Sequence, residues 1–364
     1  MSHAGEILKV SVVVAFDSLA PRREGTYSSF SHDSGKDGHD TMKKDFLSIV
    51  DLSAAEIRRL IDEAMRLKKE HRAGKRNRSL EGRTLGMLFT KPSTRTRLSF
   101  QVGMTQLGGA TVPLNPGEIQ LNRSETLEDT ARVVSRFLDG IVIRTFAQAE
   151  LEAWAAAATI PVINGLSDFS HPCQILADLL TIRETRGTLE RIRVAYIGDG
   201  NNVAHSWILA SGLLGLDFVL AAPAGYDPDP GVLAAAQRIW KGRGLPPRVV
   251  RDPAAAAAGA DFLYTDVWTS MGQESEAKRR IKAFRGFQVD EKLLARAKPA
   301  ARVLHCLPAH RGEEIAAEVI DGPQSLVFEQ AENRLHAQKA LLVRLLGKRK
   351  SPPAFSSRGG TRGK

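Results

Sequence analysis

Thr84-Leu85-Gly86-Met87-Leu88-Phe89-Thr90-Lys91-Pro92-Ser93-Thr94-Arg95-Thr96-Arg97-Leu98 decides the fold. The run to Thr90 is almost wholly apolar, as a strand of a parallel sheet covered on both faces should be. Pro92 stands just ahead of a helix start, where its missing N–H costs little. An amphipathic stretch then predicts a helix from Thr94 to Leu107, closed by Gly108-Gly109. A strand feeding straight into a helix leaves N–H groups unpaired at the helix start, and the helix dipole adds positive charge there. Such a turn attracts a phosphate. Two hydroxyls and two guanidiniums add donors, and arginine suits two-pronged phosphate contacts. The plainer alternative is a surface N-cap followed by a solvated basic turn.

Working outward, the same strand–helix alternation recurs. Ser53 with Glu56 reads as a capping box opening a helix towards His71. Further strands are expected at Ala110 to Leu114, Gly140 to Arg144 and Ile160 to Asn164, with helices at Ser124 to Phe137, Glu150 to Ala158 and Gln174 to Arg186. A second series follows. Its strands are Arg193 to Ile197, Asp217 to Ala222, Pro247 to Val250, Phe262 to Thr265 and Arg302 to His305, and a last helix runs from Val327 to Leu346. The prediction is an α/β chain: two doubly wound parallel-sheet domains with an active-site cleft between them. The expected divisions are 42–185 and 186–326, with helix 327–346 returning to the first domain. An N-terminal extension, 1–41, and a basic tail, 347–364, are expected to be disordered.

Length and composition agree. The 364 residues, 43% apolar, suffice for two cores. No apolar run reaches the roughly 18 residues of a membrane span. Cys173 and Cys306 form no disulfide framework or metal-binding pattern, which suits a reducing cytoplasm. The net charge is +10, but six basic residues lie in the Gly/Ser/Pro-rich tail beside a single aromatic, Phe355, so nucleic-acid binding is not expected. The positive balance of the middle suits an anionic substrate.

Five segments in order resemble the aspartate/ornithine carbamoyltransferase family. They are Ser93-Thr94-Arg95-Thr96-Arg97, His171-Pro172-Cys173-Gln174, Asp266-Val267-Trp268-Thr269-Ser270-Met271-Gly272, His305-Cys306-Leu307-Pro308 and Glu332-Asn333-Arg334 with His336. The resemblance runs from about Met42 to Leu346, and Met42 itself is a candidate start. It implies that Ser93, Thr94, Arg95 and Thr96 bind the phosphate of carbamoyl phosphate, with Arg144 as a second clamp and Arg334 closing over it. It implies that His171 donates to the carbonyl oxygen and Gln174 accepts from the carbamoyl NH2. Cys306 and the Leu307 backbone would lie between the two pockets, with no covalent role for the thiol. Asn202, Asp266, Ser270 and Met271 would hold the amino acid. The implied reaction is attack of the uncharged δ-amine of L-ornithine on the carbamoyl carbon, giving L-citrulline and phosphate, with no metal or cofactor. Gln120 matches a position that reaches a neighbouring subunit's site, so a homotrimer or a multiple of trimers is implied. Asn122-Arg123-Ser124-Glu125 departs from the common glycine-containing form of that loop.

Rival readings are weaker. Gly198-Asp199-Gly200 follows a strand, but Val203 stands where a dinucleotide loop needs its third glycine, and no P-loop sequence is present. Within the family, aspartate as acceptor would want further basic groups. Putrescine and N-acetylornithine differ from ornithine by features that few loop residues read.

Overall fold

The computed structural model describes residues 45–121, 124–240, 242 and 244–347. The expected N-terminal extension, Asn122-Arg123 and the basic tail beyond Gly347 lie outside them. The first half carries β1 (Thr84–Phe89), β2 (Ala110–Leu114), β3 (Gly140–Arg144) and β4 (Val162–Leu166). Its helices are α1 (Ala54–Arg72), α2 (Thr94–Gln106), α3 (Leu127–Val134), α4 (Gln148–Ala157) and α5 (Pro172–Arg186). The second half carries β5 (Arg193–Ile197), β6 (Asp217–Ala221), β7 (Arg248–Val250), β8 (Phe262–Thr265) and β9 (Arg302–His305). Its helices are α6 (Asn202–Leu214), α7 (Pro230–Trp240), α8 (Pro253–Ala257), α9 (Ala277–Ala283), α10 (Glu291–Leu294), α11 (Ala317–Ile320) and α12 (Val327–Leu346).

Two parallel sheets result, ordered β2-β1-β3-β4 and β7-β6-β5-β8-β9. Each reverses its winding once, between β1 and β3 and between β5 and β8. At those points neighbouring strand ends diverge and leave a crevice beyond their carboxyl ends. The register sets Phe89 beside Arg144 at the first and Ile197 beside Thr265 at the second. The central strands are buried on both faces, β3 along its whole length, while the edge strands β2 and β7 are partly exposed. The last helix, α12, returns to pack on α1, α2 and α5.

Several boundaries move for local reasons. The helix expected from Ser124 starts at Leu127, because Thr126 is the cap: its Oγ1 accepts from the Asp129 N–H at 3.1 Å. The same helix stops at Val134, and residues 135–137 form turns rather than reaching Phe137. The strand expected at 160–164 runs from Val162 to Leu166. Pro161 has no N–H to give the ladder, and an irregularity between Ile143 and Arg144 carries the pairing on to Leu166. Gly200 has a packing duty: a Cβ there would lie 2.2 Å from the Pro228 nitrogen. That close approach accounts for the glycine without a dinucleotide.

Candidate active site

One cleft of about 920 Å³ is walled by the loops after β1, β3, β4, β5, β8 and β9, with Arg334 added from α12. Its first end is cationic. Ser93 caps α2, and its Oγ accepts from the Thr96 N–H at 3.2 Å. Thr94, Arg95 and Thr96 form the opening turn of that helix, so their N–H groups point outwards at its positive end. Arg144 ends β3 and is only 6% exposed. Arg334 is 1% exposed. Its Nη1 donates to Gln174 Oε1 at 2.7 Å and its Nη2 to Thr96 Oγ1 at 3.0 Å. Arg95 reaches across the cleft and donates to the Leu307 carbonyl.

Among the described residues, none of these three guanidiniums has a carboxylate at ion-pair distance. Burial, then the neighbouring Arg334 and Arg95, push Arg144 down to about 10. Burial and Arg95 push Arg334 the same way. The three cations therefore disfavour one another, and an anion bound among them relieves the repulsion. Arg144 also keeps a buried Nε without a partner.

His171 is the N-cap of α5, fixed by its own N–H donating to Ser206 Oγ at 2.8 Å. Burial, then Arg334, Arg144 and Arg95, hold its imidazole well below the usual histidine range. A neutral ring offers one N–H donor at neutral pH, and its Nδ1 has no partner among the described residues.

The other end is built around a carboxylate. Asp266 follows β8 and is 7% exposed. It accepts from Asn201 Nδ2 at 2.8 Å, from the Val267 N–H at 2.8 Å and from the Cys306 thiol at 2.9 Å. Burial, then the Asp266 charge, push the Cys306 thiol well above its ordinary value, so it stays an uncharged donor. Asn202 opens α6 and donates to the Ser167 carbonyl at 2.6 Å. The Ser270 N–H is held by Gln273 Oε1 at 3.1 Å, while Met271 is 50% exposed on the same loop. Two triads carry metal-ligating atoms close together, Asp266–His305–Cys306 and His310–Glu313–Glu314. In the first, the thiol already bonds Asp266, and His305 Nδ1 accepts from the Leu307 N–H at 2.8 Å.

The match to known proteins covers both halves. Residues 44–184 match "Aspartate/ornithine carbamoyltransferase, carbamoyl-P binding domain", and 190–345 match "Aspartate/ornithine carbamoyltransferase, Asp/Orn binding domain". The ornithine carbamoyltransferase of Symbiobacterium thermophilum is 55% identical over 303 residues, 83% of this chain and 98% of that protein. The anabolic ornithine carbamoyltransferase of Pyrococcus furiosus is 52% identical over 304 residues, 84% and 96%. The solved structure of the Pyrococcus furiosus ornithine carbamoyltransferase superposes with a TM-score of 0.81 at 51% identity, covering 83% of this chain and 97% of that one. The chain belongs to the aspartate/ornithine carbamoyltransferase family. It is a carbamoyltransferase, and its two α/β halves are those of the family's solved structures.

Set against the expected carbamoyltransferase site, Ser93, Thr94, Arg95, Thr96, Arg144, His171, Asn202, Asp266, Ser270, Met271, Cys306, Leu307 and Arg334 all line the cleft. Gln174 and Gln120 do not. Gln174 is 1% exposed, and its amide is spent between Arg334 and Asp178, so it braces the arginine instead of presenting an acceptor to the cleft. Gln120 is exposed and lies outside the cleft of its own chain. Sequence reasoning passed over Asn201. Its Oδ1 caps α6, accepting from the Val203 and Ala204 N–H groups at 3.0 and 3.1 Å, while its Nδ2 aims Asp266. An Asn after Gly-x-Gly at a helix start was the available signal. It also passed over the Lys91–Asp168 pair, which joins two loops of the cleft wall, and the Arg280–Asp199 pair at 2.7 Å, which ties α9 to the loop after β5.

Proposed function

We propose that this cleft transfers the carbamoyl group of carbamoyl phosphate to the δ-amine of L-ornithine, releasing L-citrulline and phosphate. The observation that carries the reading is the polarity of a single cleft: three guanidiniums with no carboxylate at ion-pair distance among the described residues at one end, and one braced carboxylate at the other. The family and its ornithine-named relatives support the same reaction, and with it a place in arginine metabolism. In this reading the dianionic phosphate lies among Arg95, Arg144, Arg334 and the start of α2. His171 and Arg144 donate to the carbamoyl oxygen as charge develops there. Asp266 takes the α-ammonium, with Asn202 and the Ser270-Met271 turn at the carboxylate. The nitrogen lone pair attacks the carbamoyl carbon, the C–O bond to phosphate breaks, and the amine sheds a proton as phosphate leaves. Preplaced cations facing the leaving group supply the largest share of the rate.

Parallel assays of phosphate release with ornithine, putrescine, N-acetylornithine and aspartate test the acceptor. Ornithine is expected to be fastest by far; an equal or faster rate with any other acceptor refutes that choice. The attacking amine has an intrinsic pKa of roughly 10.4, as for lysine. Turnover is therefore expected to rise from pH 7 to 9, and a steady fall would contradict direct attack by free amine.

The same reading divides the chain at 185/186 and supports an assembly of three copies or a multiple of three, in the cytoplasm. Elements around the first sheet leave Leu98, Val102, Val112, Val133 and Phe137 exposed, the last at 77%. Gln120, unused in its own cleft, is free to serve a neighbour's. Light scattering at one-third of the expected mass would refute the assembly.

A further inference from the structure

Asp178 is a fully buried carboxyl that the proposed reaction does not use. It lies on α5, one turn after Gln174, behind the anion end of the cleft. Its Oδ1 accepts two amide donors, Gln174 Nε2 at 2.7 Å and Gln330 Nε2 at 2.7 Å, while Oδ2 has no hydrogen-bond partner among the described residues. Each glutamine passes the orientation on. With its NH2 pinned to Asp178, Gln174 must turn Oε1 outwards, where it receives Arg334 at 2.7 Å. With its NH2 pinned likewise, Gln330 turns Oε1 to the backbone N–H of His305 at 2.8 Å, one residue before Cys306. An amide is nearly symmetrical in shape, so only its partners decide which end faces which way. One acceptor atom thus sets an arginine on the phosphate side and the strand end that carries the thiol on the other side.

We propose that Asp178, accepting from both glutamines through Oδ1, is the positioning residue that holds Arg334 and the His305–Cys306 strand end in their working orientations. The proposal rests on the anion-site reading above. Without that oxygen Gln174 loses the partner that pins its NH2, and its amide can turn donors towards the donors of Arg334; a proton on Oδ2, or an NH2 in its place, leaves the arrangement intact. The titratable groups facing Asp178 come from three elements: the charged Arg334 on α12, and the uncharged Tyr264 on β8 and Cys306 thiol after β9. Burial pushes the Asp178 carboxyl up to about 7, against the lowering pull of Gln174, Gln330, Tyr264 and Arg334.

The test is inorganic phosphate binding by calorimetry to the full chain at pH 8.5, for the wild type, Asp178→Asn and Asp178→Leu. Asparagine keeps an acceptor oxygen and loses the charge, whereas leucine loses both. If charge is all that matters, the two variants bind phosphate equally, and more tightly than the wild type. If the acceptor positions Arg334, Asp178→Leu binds about tenfold more weakly than Asp178→Asn. Should Asp178→Leu not fold, Gln330→Met cuts one arm alone: ornithine KM should rise while phosphate affinity stays put. Equal binding by the two Asp178 variants, or an unchanged ornithine KM in Gln330→Met, overturns the proposal. A wild type that binds phosphate while the variants fail these expectations refutes the inference alone. A wild type that binds no phosphate refutes the anion site and this inference with it.

Discussion

The two ends of the cleft are made differently. The phosphate end is assembled from rigid parts: the first turn of α2, the last residue of β3 and the interior of α12, with Arg144 and Arg334 nearly inaccessible. The amino-acid end hangs on loops after β5, β8 and β9, where Asp266 is braced from three sides but Met271 stands half exposed. A leaving group of fixed shape suits a prebuilt cationic socket, whose repulsion is stored in advance of the ligand. A flexible amino acid suits a loop that can settle around it, with one carboxylate fixing polarity.

Breaking the socket should cost most. Arg95→Ala is expected to lower turnover by about a hundred- to a thousand-fold with the melting temperature little changed. Near-normal turnover in that variant would remove the contrast altogether. At the loop end, Asp266→Asn keeps the shape and the Cys306 contact but loses the charge. Ornithine KM should rise on the order of 10- to 100-fold while phosphate affinity stays put. A change in phosphate affinity instead would show that the two ends are not separable. The smallest effect concerns stability. His171 is held neutral, with a folded pKa well below its unfolded value. Its contribution is therefore present above about pH 6.5 and is lost as the pH falls below that, because the unfolded chain takes up the proton first. Thermal melts of His171→Gln should show a shallower decline between pH 6.5 and 5 than the wild type; parallel curves would place the acid sensitivity elsewhere.

The socket was also the more legible end. The strand and helix around Pro92, the strand ending on Arg144 and the long last helix follow from local patterns, unbroken apolar runs for the strands and a 3.6-residue period for the helices, and most of their bounds survive. Arg334 was readable only through resemblance, because α12 carries it to Thr96 from 238 residues away. Long-range partnerships leave no local pattern. For the same reason the roles of Gln174 and Asn201 stayed hidden: side-chain amides take their meaning from partners on other elements. Where expected bounds failed, as at Pro161 and Thr126, a single residue's hydrogen-bonding capacity overrode the apolar pattern.

The path of α12 has a consequence for synthesis. Both sheets can be complete on the ribosome while the socket still lacks its third guanidinium. A chain released before Arg334 would own every strand and most of the cleft wall, yet would be a poor carbamoyl donor site. The cationic socket is thus completed only by the last helix to be made.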